Sequence, residues 1–331
     1  MTDPAVLPLS VAIPTFGRDE VLTNTIGQLL QQSPPAAELL IVDQTPTHDD
    51  ATAAQLQAWH DHGRIRWIRR QQPSQPGALN VAMQAASQPF LLMLDDDIRI
   101  EPGFLAAHCA GFDDPAIWAV IGQVLQPEES PLEGYARPAS TSPMADLAFP
   151  FRSNAGTFIE NGMSGNMTVR LDRALALGGF DENFEPPVSY RFDTEFCKRL
   201  VRAGGRIRFV PEARIYHLRA ARGGTRSVGS HLTSMSPLHG AGDYYFALLQ
   251  GWHGDVARYI LRRPWREVRT RFHLRHPWWI PVKLLGELRA FVSALRLLRK
   301  GPRLIPNEQH DAGAVQAASA TPAASGNGTV R

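Results

Sequence analysis

The sequence predicts an α/β fold: a mostly parallel sheet with helices on both faces. Three observations carry this. Short apolar runs of strand length recur, helical patterns alternate with them, and the runs are apolar throughout rather than every second residue. A run without polar alternation suits a strand buried on both faces, as in parallel sheets covered by helices. The chain has 331 residues, 44% hydrophobic and 20% charged, which is the composition of a globular protein able to bury a core.

The first run, residues 8–14, ends at Pro14 and reads as a strand. Asp19 then precedes Val21, Leu22, Ile26, Leu29 and Leu30 at helical spacing and suits an N-cap. Leu39–Val42 is a second strand ending in Asp43, and Ile65–Ile68 a third. Ala78–Ala86 reads as a helix, and Phe90–Leu94 as a fourth strand running straight into Asp95, Asp96 and Asp97. In such sheets ligands bind at the carboxyl ends of strands. Asp43 and the three aspartates fall at those ends and are expected to face one crevice.

Two cysteines, Cys109 and Cys197, exclude a disulfide framework, and there is no C-x-x-C pair for zinc. The opening MTDPAVLPLS has no basic stretch before an apolar one, so no signal peptide is expected, and the long uncharged window 71–94 is interrupted by Gln, Ser and Pro, so no spanning helix is expected. The formal net charge is only +2, but its distribution is uneven. Residues 251–303 carry 13 Lys or Arg against Asp255, Glu267 and Glu287, a local balance of +10, leaving −8 elsewhere. We therefore expect three regions: a domain over 1–250, a basic helical extension over 251–303, and a disordered tail over 304–331 rich in Ala, Ser, Gly and Thr.

Asp95 and Asp97 are two apart on an extended segment, so both carboxylates can face one ligand. Converging carboxylates repel unless a cation sits between them, and a hard divalent ion carrying phosphate oxygens meets that need. A solvated acidic turn is the plainer alternative. An EF-hand is a poor match, because neither its glycine nor its terminal glutamate is in place.

Residues 161–217 hold a second dense region: NGMSGNMTVR, LGGFDENFEPP, RFDTEFCKRLVRAGG and IRFVPEARIYH. The order P-T-F-G-R, V-D, D-D-D, G-N-M, G-G-F-D-E, an acidic pair on a helix and a strand ending P-x-A-x-x-x-H resembles family 2 glycosyltransferases over about residues 8–220. The resemblance implies a Rossmann-like GT-A fold, a nucleotide-sugar donor, Mn²⁺ or Mg²⁺, and inversion at the sugar. It also implies residue roles. Pro14 and Thr15 would touch the nucleoside and Asp43 the base. Asp95 and Asp96 would lie on the donor, Asp97 and His217 on the metal. Asp193, on a helix starting near Arg191, would be the catalytic base. His217 is expected at the end of an Ile207–His217 hairpin. Two positions depart from the family pattern: Phe192 stands where a glutamate precedes the base, and Leu79 where many members have an arginine before Asn80.

A base beside an acceptor hydroxyl removes its proton as the new bond forms. Glu195, Glu160 and Asp181 are the alternatives to Asp193, which would otherwise be a helix N-terminal acid stabilised by the dipole. Gly165 and Asn166 are expected to hold the acceptor or sugar, unless they form a turn. After His217, two glycines among Arg219, Arg222 and Arg226 make a cationic loop suited either to closing over a diphosphate, with Arg226 on the donor, or to a plain surface connection. The Gly178–Glu182 stretch reads as a helix end.

In the basic segment, Leu284, Leu285, Leu288, Phe291, Val292, Leu295 and Leu298 recur at helical spacing among arginines, with Trp265, Trp278 and Trp279 upstream. Basic amphipathic helices with tryptophans lie at membrane interfaces, and otherwise pack on their own domain. Nucleic acid is not expected as a partner, since no base-stacking motif is present. The expected protein is thus a cytoplasmic transferase, peripheral on the inner face of the membrane, acting on a glycan or lipid-linked acceptor in cell-surface glycan assembly. Two rivals are a catalytically silent sugar-nucleotide or glycan-binding module, favoured by Phe192, and a nucleotidyltransferase, disfavoured because no glycine-rich, lysine-containing loop follows the first strand.

Overall fold

The computed structural model describes residues 6–185, 190–220, 222–224 and 230–306. Its strands are β1 (Leu7–Thr15), β2 (Ala36–Asp43), β3 (Arg66–Arg69), β4 (Phe90–Leu94), β5 (Ile98–Ile100), β6 (Ile117–Leu125), β7 (Thr157–Ile159), β8 (Asn166–Arg170) and β9 (Arg206–His217). The helices are α1 (Glu20–Leu30), α2 (Asp50–Asp61), α3 (Gln75–Ala85), α4 (Phe104–Ala110), α5 (Leu171–Ala176), α6 (Phe192–Arg202), α7 (Ala241–Leu249), α8 (Gly254–Val268), α9 (Arg271–Arg275) and α10 (Ile280–Lys300).

One sheet runs β3-β2-β1-β4-β8-β6-β9-β5, with β7 added against β9. β3, β2, β1, β4, β6 and β9 share a direction, while β8, β5 and β7 run against it. The sheet is therefore mostly parallel, as the unbroken apolar runs require. Leu9, Val11 and Ile13 pack with Leu22 and Ile26 of α1 on one face. Ala12, Leu91 and Met93 pack with Met83 of α3 and Phe196 of α6 on the other.

Several local expectations change. Asp19 occupies the N-cap of α1 but caps nothing with its side chain; Oδ1 instead meets His48 Nδ1 at 2.8 Å. Working caps occur on α2, where Asp49 accepts from Thr52 N at 2.7 Å, and on α3, where Ser74 accepts from Gly77 N. The expected Ile207–His217 hairpin is one continuous strand. It bends around Pro211, where the β6–β9 register shifts between Gly122 and Val124. Pro211 stands there without a Gly, Asn or Asp beside it to complete a tight reversal.

The basic segment packs onto the domain. α10 lies on α7, where Tyr244 donates to Glu287 Oε2 at 3.0 Å and Phe291 meets the Tyr244 ring at 5.5 Å. Four residues of α8 and α10, Arg263, Lys283, Glu267 and Glu287, form a largely buried charge cluster with Asp243 of α7. The chain then returns to the segment that follows α5. Arg303 N donates to Asp181 Oδ1 at 2.9 Å and Ile305 N to Gly178 O at 2.8 Å, so residues 304–306, expected in a disordered tail, are held against the domain. The tail expected beyond them lies outside the described residues. Among the described residues no helix is long and apolar enough to cross a membrane.

Candidate active site

The aspartate cluster leaves β4, and β5 follows at once. β5 pairs with the end of β9 so that Ile98 faces His217, and Leu218 N donates to Asp97 O at 2.8 Å. This bridge brings His217 to the aspartates: Nε2 is 3.1 Å from Asp97 Oδ1 and 3.7 Å from Asp95 Oδ2. Asp95, Asp97 and His217 each offer a ligand atom within 4.8 Å of the others. On the far side of the ring, Gln126 Oε1 lies 3.1 Å from His217 Nδ1 and accepts from Arg219 Nε at 2.7 Å. An amide oxygen only accepts, so Nδ1 carries the hydrogen there. Nε2, facing the two carboxylates, can donate a proton to Asp97 or, without that proton, complete with Asp95 and Asp97 a three-atom donor set for a cation. Hard oxygens with one imidazole suit Mn²⁺ or Mg²⁺, so the donor set fits the expected ion.

Gly165 sits directly against this centre. Its O accepts from Asp95 N at 3.2 Å, and a Cβ there would come 2.2 Å from Asp95 Oδ2. Only a residue without a Cβ leaves that carboxylate in its present place. Asp97 is mostly buried, and burial pushes its carboxyl upward. His217, the Ala220 N–H at 2.8 Å and Arg18 outweigh that and hold it below the usual carboxylate range. Asp96 turns inward. Thr15 Oγ1 donates to it at 2.7 Å and Arg18 Nε lies 3.3 Å from it, but burial dominates and raises its pKa to about 7.

A cavity of about 530 Å³ opens on this wall and is bordered by Pro14, Thr15, Asp95, Asp96, Asp97, Gly165, His217 and Asp193. Asp193 enters it from the first turn of α6 and accepts from Thr194 N at 2.8 Å. Phe192 points the opposite way, into the core, edge-on to Phe180 at 5.4 Å. The three alternative bases are all engaged. Glu195 is buried and doubly bonded to Arg199 at 3.0 and 2.8 Å. Glu160 pairs with Lys198 at 2.9 Å. Asp181 accepts from Tyr245 at 2.7 Å and from two backbone N–H groups.

Two expected site residues do not reach the cavity. Asp43 is fully buried and saturated: Thr45 N at 2.8 Å on one oxygen, His48 Nε2 and Trp67 Nε1 at 2.9 Å each on the other. Its neighbour Gln44 borders the cavity instead, because successive residues of a strand face opposite sides. Asn166 is also fully buried. It accepts from His108 at 2.8 Å and donates to the carbonyls of Gln123 and Ala213, tying β8 to β6 and β9. Arg226 lies outside the described residues.

Arg18 was given no separate role by sequence reasoning, although it ends the P-T-F-G-R run. It spans Asp96 and Asp97 and donates to the carbonyls of Ala220, at 3.0 Å, and Arg222. Gly224 N donates to Phe16 O at 2.8 Å, so the segment after His217 rests on the loop after β1. Gly223, at φ +81°, comes so near that a Cβ would meet Gly17 O at 2.5 Å.

The family model of glycosyl transferase family 2 matches residues 10–175, half of the chain. The chain belongs to glycosyl transferase family 2. Among the relatives of this family 2 member, validoxylamine A glucosyltransferase of Streptomyces hygroscopicus subsp. limoneus is 28% identical over 115 residues, 34% of this chain and 25% of the relative. The matched stretch therefore spans only a quarter of that protein. Among solved structures, S. aureus TarS 1–349 aligns with a TM-score of 0.56 at 15% identity, covering 87% of this chain and 81% of TarS 1–349. The mannosyltransferase PcManGT of Pyrobaculum calidifontis, in complex with GDP-Man and Mn²⁺, aligns with a TM-score of 0.51 at 16% identity, covering 96% of this chain and 82% of its own. These likenesses establish the GT-A fold of the family 2 chain.

Proposed function

We propose that this chain is an inverting, metal-dependent glycosyltransferase that moves a sugar from a nucleotide-diphosphate donor to a hydroxyl acceptor in cell-surface glycan assembly. One observation carries the reading: Asp95, Asp97 and His217 converge on the wall of the same cavity that Asp193 enters. Those three side chains would hold a divalent ion, which would supply positive charge for the diphosphate leaving group. Asp193 takes the proton of the acceptor hydroxyl, and a single base with direct displacement inverts the anomeric centre. Asp96 and Thr15, bonded to each other, hold the floor between β1 and β4 rigid. The segment through Ala220, Gly223 and Gly224 borders the cavity and limits the entry of water. PcManGT, with its bound GDP-Man and Mn²⁺, is consistent with a donor of this kind.

The test is Mn²⁺-dependent hydrolysis of a panel of nucleotide sugars by the wild type, Asp97→Ala and Asp193→Asn. Turnover by the wild type, lost in both variants, is expected. Donor-induced thermal stabilisation without any turnover would favour a silent binding module.

The same reading puts residues 251–303 on an anionic membrane surface, on its cytoplasmic side. Trp252, Trp265 and Trp278 are 96%, 68% and 64% exposed on this basic segment, where water is a poor solvent for indole. Flotation with anionic liposomes is expected, weakened by salt. Trp265→Ser with Trp278→Ser should reduce it, and undiminished flotation of that double variant would remove the membrane role.

A further inference from the structure

α8 is flanked by two different grooves. The first, of about 810 Å³, is lined by Arg258, Arg262, Arg266 and Arg269 with Tyr259 and Trp265. The four arginines are spaced four, four and three residues apart, so they form one stripe on the helix. Like charges so placed repel one another, and nearby carboxylates offset two of the four. Asp255 is 3.4 Å from Arg258, and Arg266 lies 3.7 Å from Glu267, which also serves Arg263 and Lys283, and 3.9 Å from Asp243. Among the described residues, Arg262 and Arg269 have no carboxylate partner. The second groove, of about 300 Å³, runs between α8 and α10 and is lined almost wholly by apolar groups, including Leu261, Pro264, Leu284, Leu288 and Phe291. Between the grooves stands an exposed ridge of Leu261 and Trp265, which are 72% and 68% exposed.

We propose that α8 is a two-part site for a lipid ending in a phosphate or diphosphate, with the phosphate on the arginine stripe and the hydrocarbon chain on the apolar groove. A guanidinium stripe matches phosphate oxygens in charge and in donor geometry. A cationic groove alone fits any polyanion, and an apolar groove alone fits any greasy surface. Their meeting across one ridge fits an amphiphile with a compact, doubly charged end. The site also adjoins the chemistry. Tyr259, in the arginine groove, donates to Asp243 Oδ1 at 2.9 Å, and Arg191, two residues before Asp193, donates to the same oxygen at 2.9 Å. A lipid phosphate held there is thus linked through Asp243 to the start of the helix that carries Asp193. The inference rests on the transferase reading and narrows its acceptor to a phosphate-bearing lipid.

The experiment measures binding of the full chain to phosphatidylcholine vesicles carrying either phosphatidic acid, a phosphate monoester, or phosphatidylglycerol, a diester, at matched surface charge. Wild type should prefer phosphatidic acid. Arg262→Gln with Arg269→Gln should lose that preference and bind the monoester vesicles roughly 10- to 100-fold more weakly. Arg296→Gln with Arg299→Gln, the same charge loss at the far end of α10, should keep the preference. Because all four arginines are exposed, both doubles should fold, and circular dichroism checks this. Equal weakening in the two doubles, or equal binding to both lipids, would overturn the inference in favour of general attraction to anionic surfaces. Abolition of vesicle binding by inorganic phosphate alone would overturn its lipid half. Donor hydrolysis by the wild type is followed separately. Lipid-phosphate binding without hydrolysis removes only the transferase reading, whereas hydrolysis without the lipid preference removes only this inference.

Discussion

Replacing Gly165 with alanine should separate metal binding from folding. The added Cβ would lie 2.2 Å from Asp95 Oδ2, 2.5 Å from its Cγ and 2.9 Å from Oδ1. Ordinary contact begins at 3.4 Å, so the carboxylate must retreat by at least about 1 Å. It can do so cheaply, because only the end of one side chain has to turn. The Asp95 N to Gly165 O bond between the backbones is untouched. A metal–oxygen bond, however, tolerates only about 0.2 Å. The expected cost is the loss of one of three ligands: a drop of about 10- to 100-fold in Mn²⁺ affinity, or roughly 1.4–3 kcal/mol. The assay is Mn²⁺ titration by calorimetry alongside thermal unfolding without metal. Wild-type Mn²⁺ affinity in Gly165→Ala, when Asp97→Ala has lost it, would show that Asp95 is no ligand.

The same substitution at Gly122 should do the opposite. There a Cβ would meet Ala213 O at 1.9 Å and Asn166 Nδ2 at 2.2 Å. Neither can move freely: the first is backbone in the strand paired with β6, and the second is locked between two carbonyls and His108. Gly122→Ala should therefore destabilise the fold by about 3 kcal/mol or more. If both variants lost stability alike and kept Mn²⁺ alike, the distinction between a yielding side chain and a fixed backbone would be wrong.

Asp193→Asn should lower kcat for transfer by about 10²- to 10⁴-fold while donor KM stays near wild type, read from initial rates; an unchanged kcat refutes the base assignment. Arg18→Met leaves Asp96 and Asp97 without their shared cation and should destabilise the metal-free protein by roughly 3–5 kcal/mol. Added Mn²⁺ should then raise its Tm more than it raises that of wild type, and equal shifts would count against the pairing. His108 should make stability depend on acid. Burial lowers its pKa from the ordinary 6.5 to about 4, so below 6.5 the unfolded chain takes up a proton that the folded chain refuses. Stability from this group is present at neutral pH and is lost as pH falls through that window, by about 3 kcal/mol in all. Urea unfolding at pH 7 and pH 4.5 should show a smaller difference in His108→Gln than in wild type.

The parallel half of the sheet was legible because β1, β2 and β4 are apolar without alternation, which leaves strands little choice but burial on both faces. The convergence of Asp95 and Asp97 was legible in part, since a D-x-D beyond a strand points two carboxylates one way. What was not legible was orientation. Asp43 ends β2, where the sheet binds ligands, yet it faces His48 and Trp67 while Gln44 borders the cavity. A one-residue difference decides this, and nothing local encodes it. Asn166 misled for a similar reason. A Gly-Asn step has the chemistry of a sugar-binding turn, but its partners, His108, Gln123 and Ala213, come from three other elements. His217 could be found only by resemblance, because the contact that matters is a strand pair with Ile98, far away in sequence.

The basic segment shows why local charge does not amount to a separate unit. Of its cations, Arg263 and Lys283 are 3% and 2% exposed, and they neutralise Asp243, Glu267 and Glu287 inside the helical layer. Two of those acids come from the segment itself, and the third comes from α7. Asp243 also holds Arg191, whose φ of +79° is unusual for a residue with a side chain, and Arg191 opens the helix that carries Asp193. The strain at Arg191 persists only while that carboxylate grips it, and α8 fixes the carboxylate through Tyr259 and Arg263. A ligand that shifts α8 therefore acts on the turn from which Asp193 enters the cavity. Asp243→Asn should accordingly lower kcat while Mn²⁺ affinity stays unchanged. Substituting Arg191 by glycine in the same chain, which tolerates the positive φ without the ion pair, should restore part of it. Loss of Mn²⁺ binding in Asp243→Asn would mean that the charge cluster supports the fold as a whole rather than this turn.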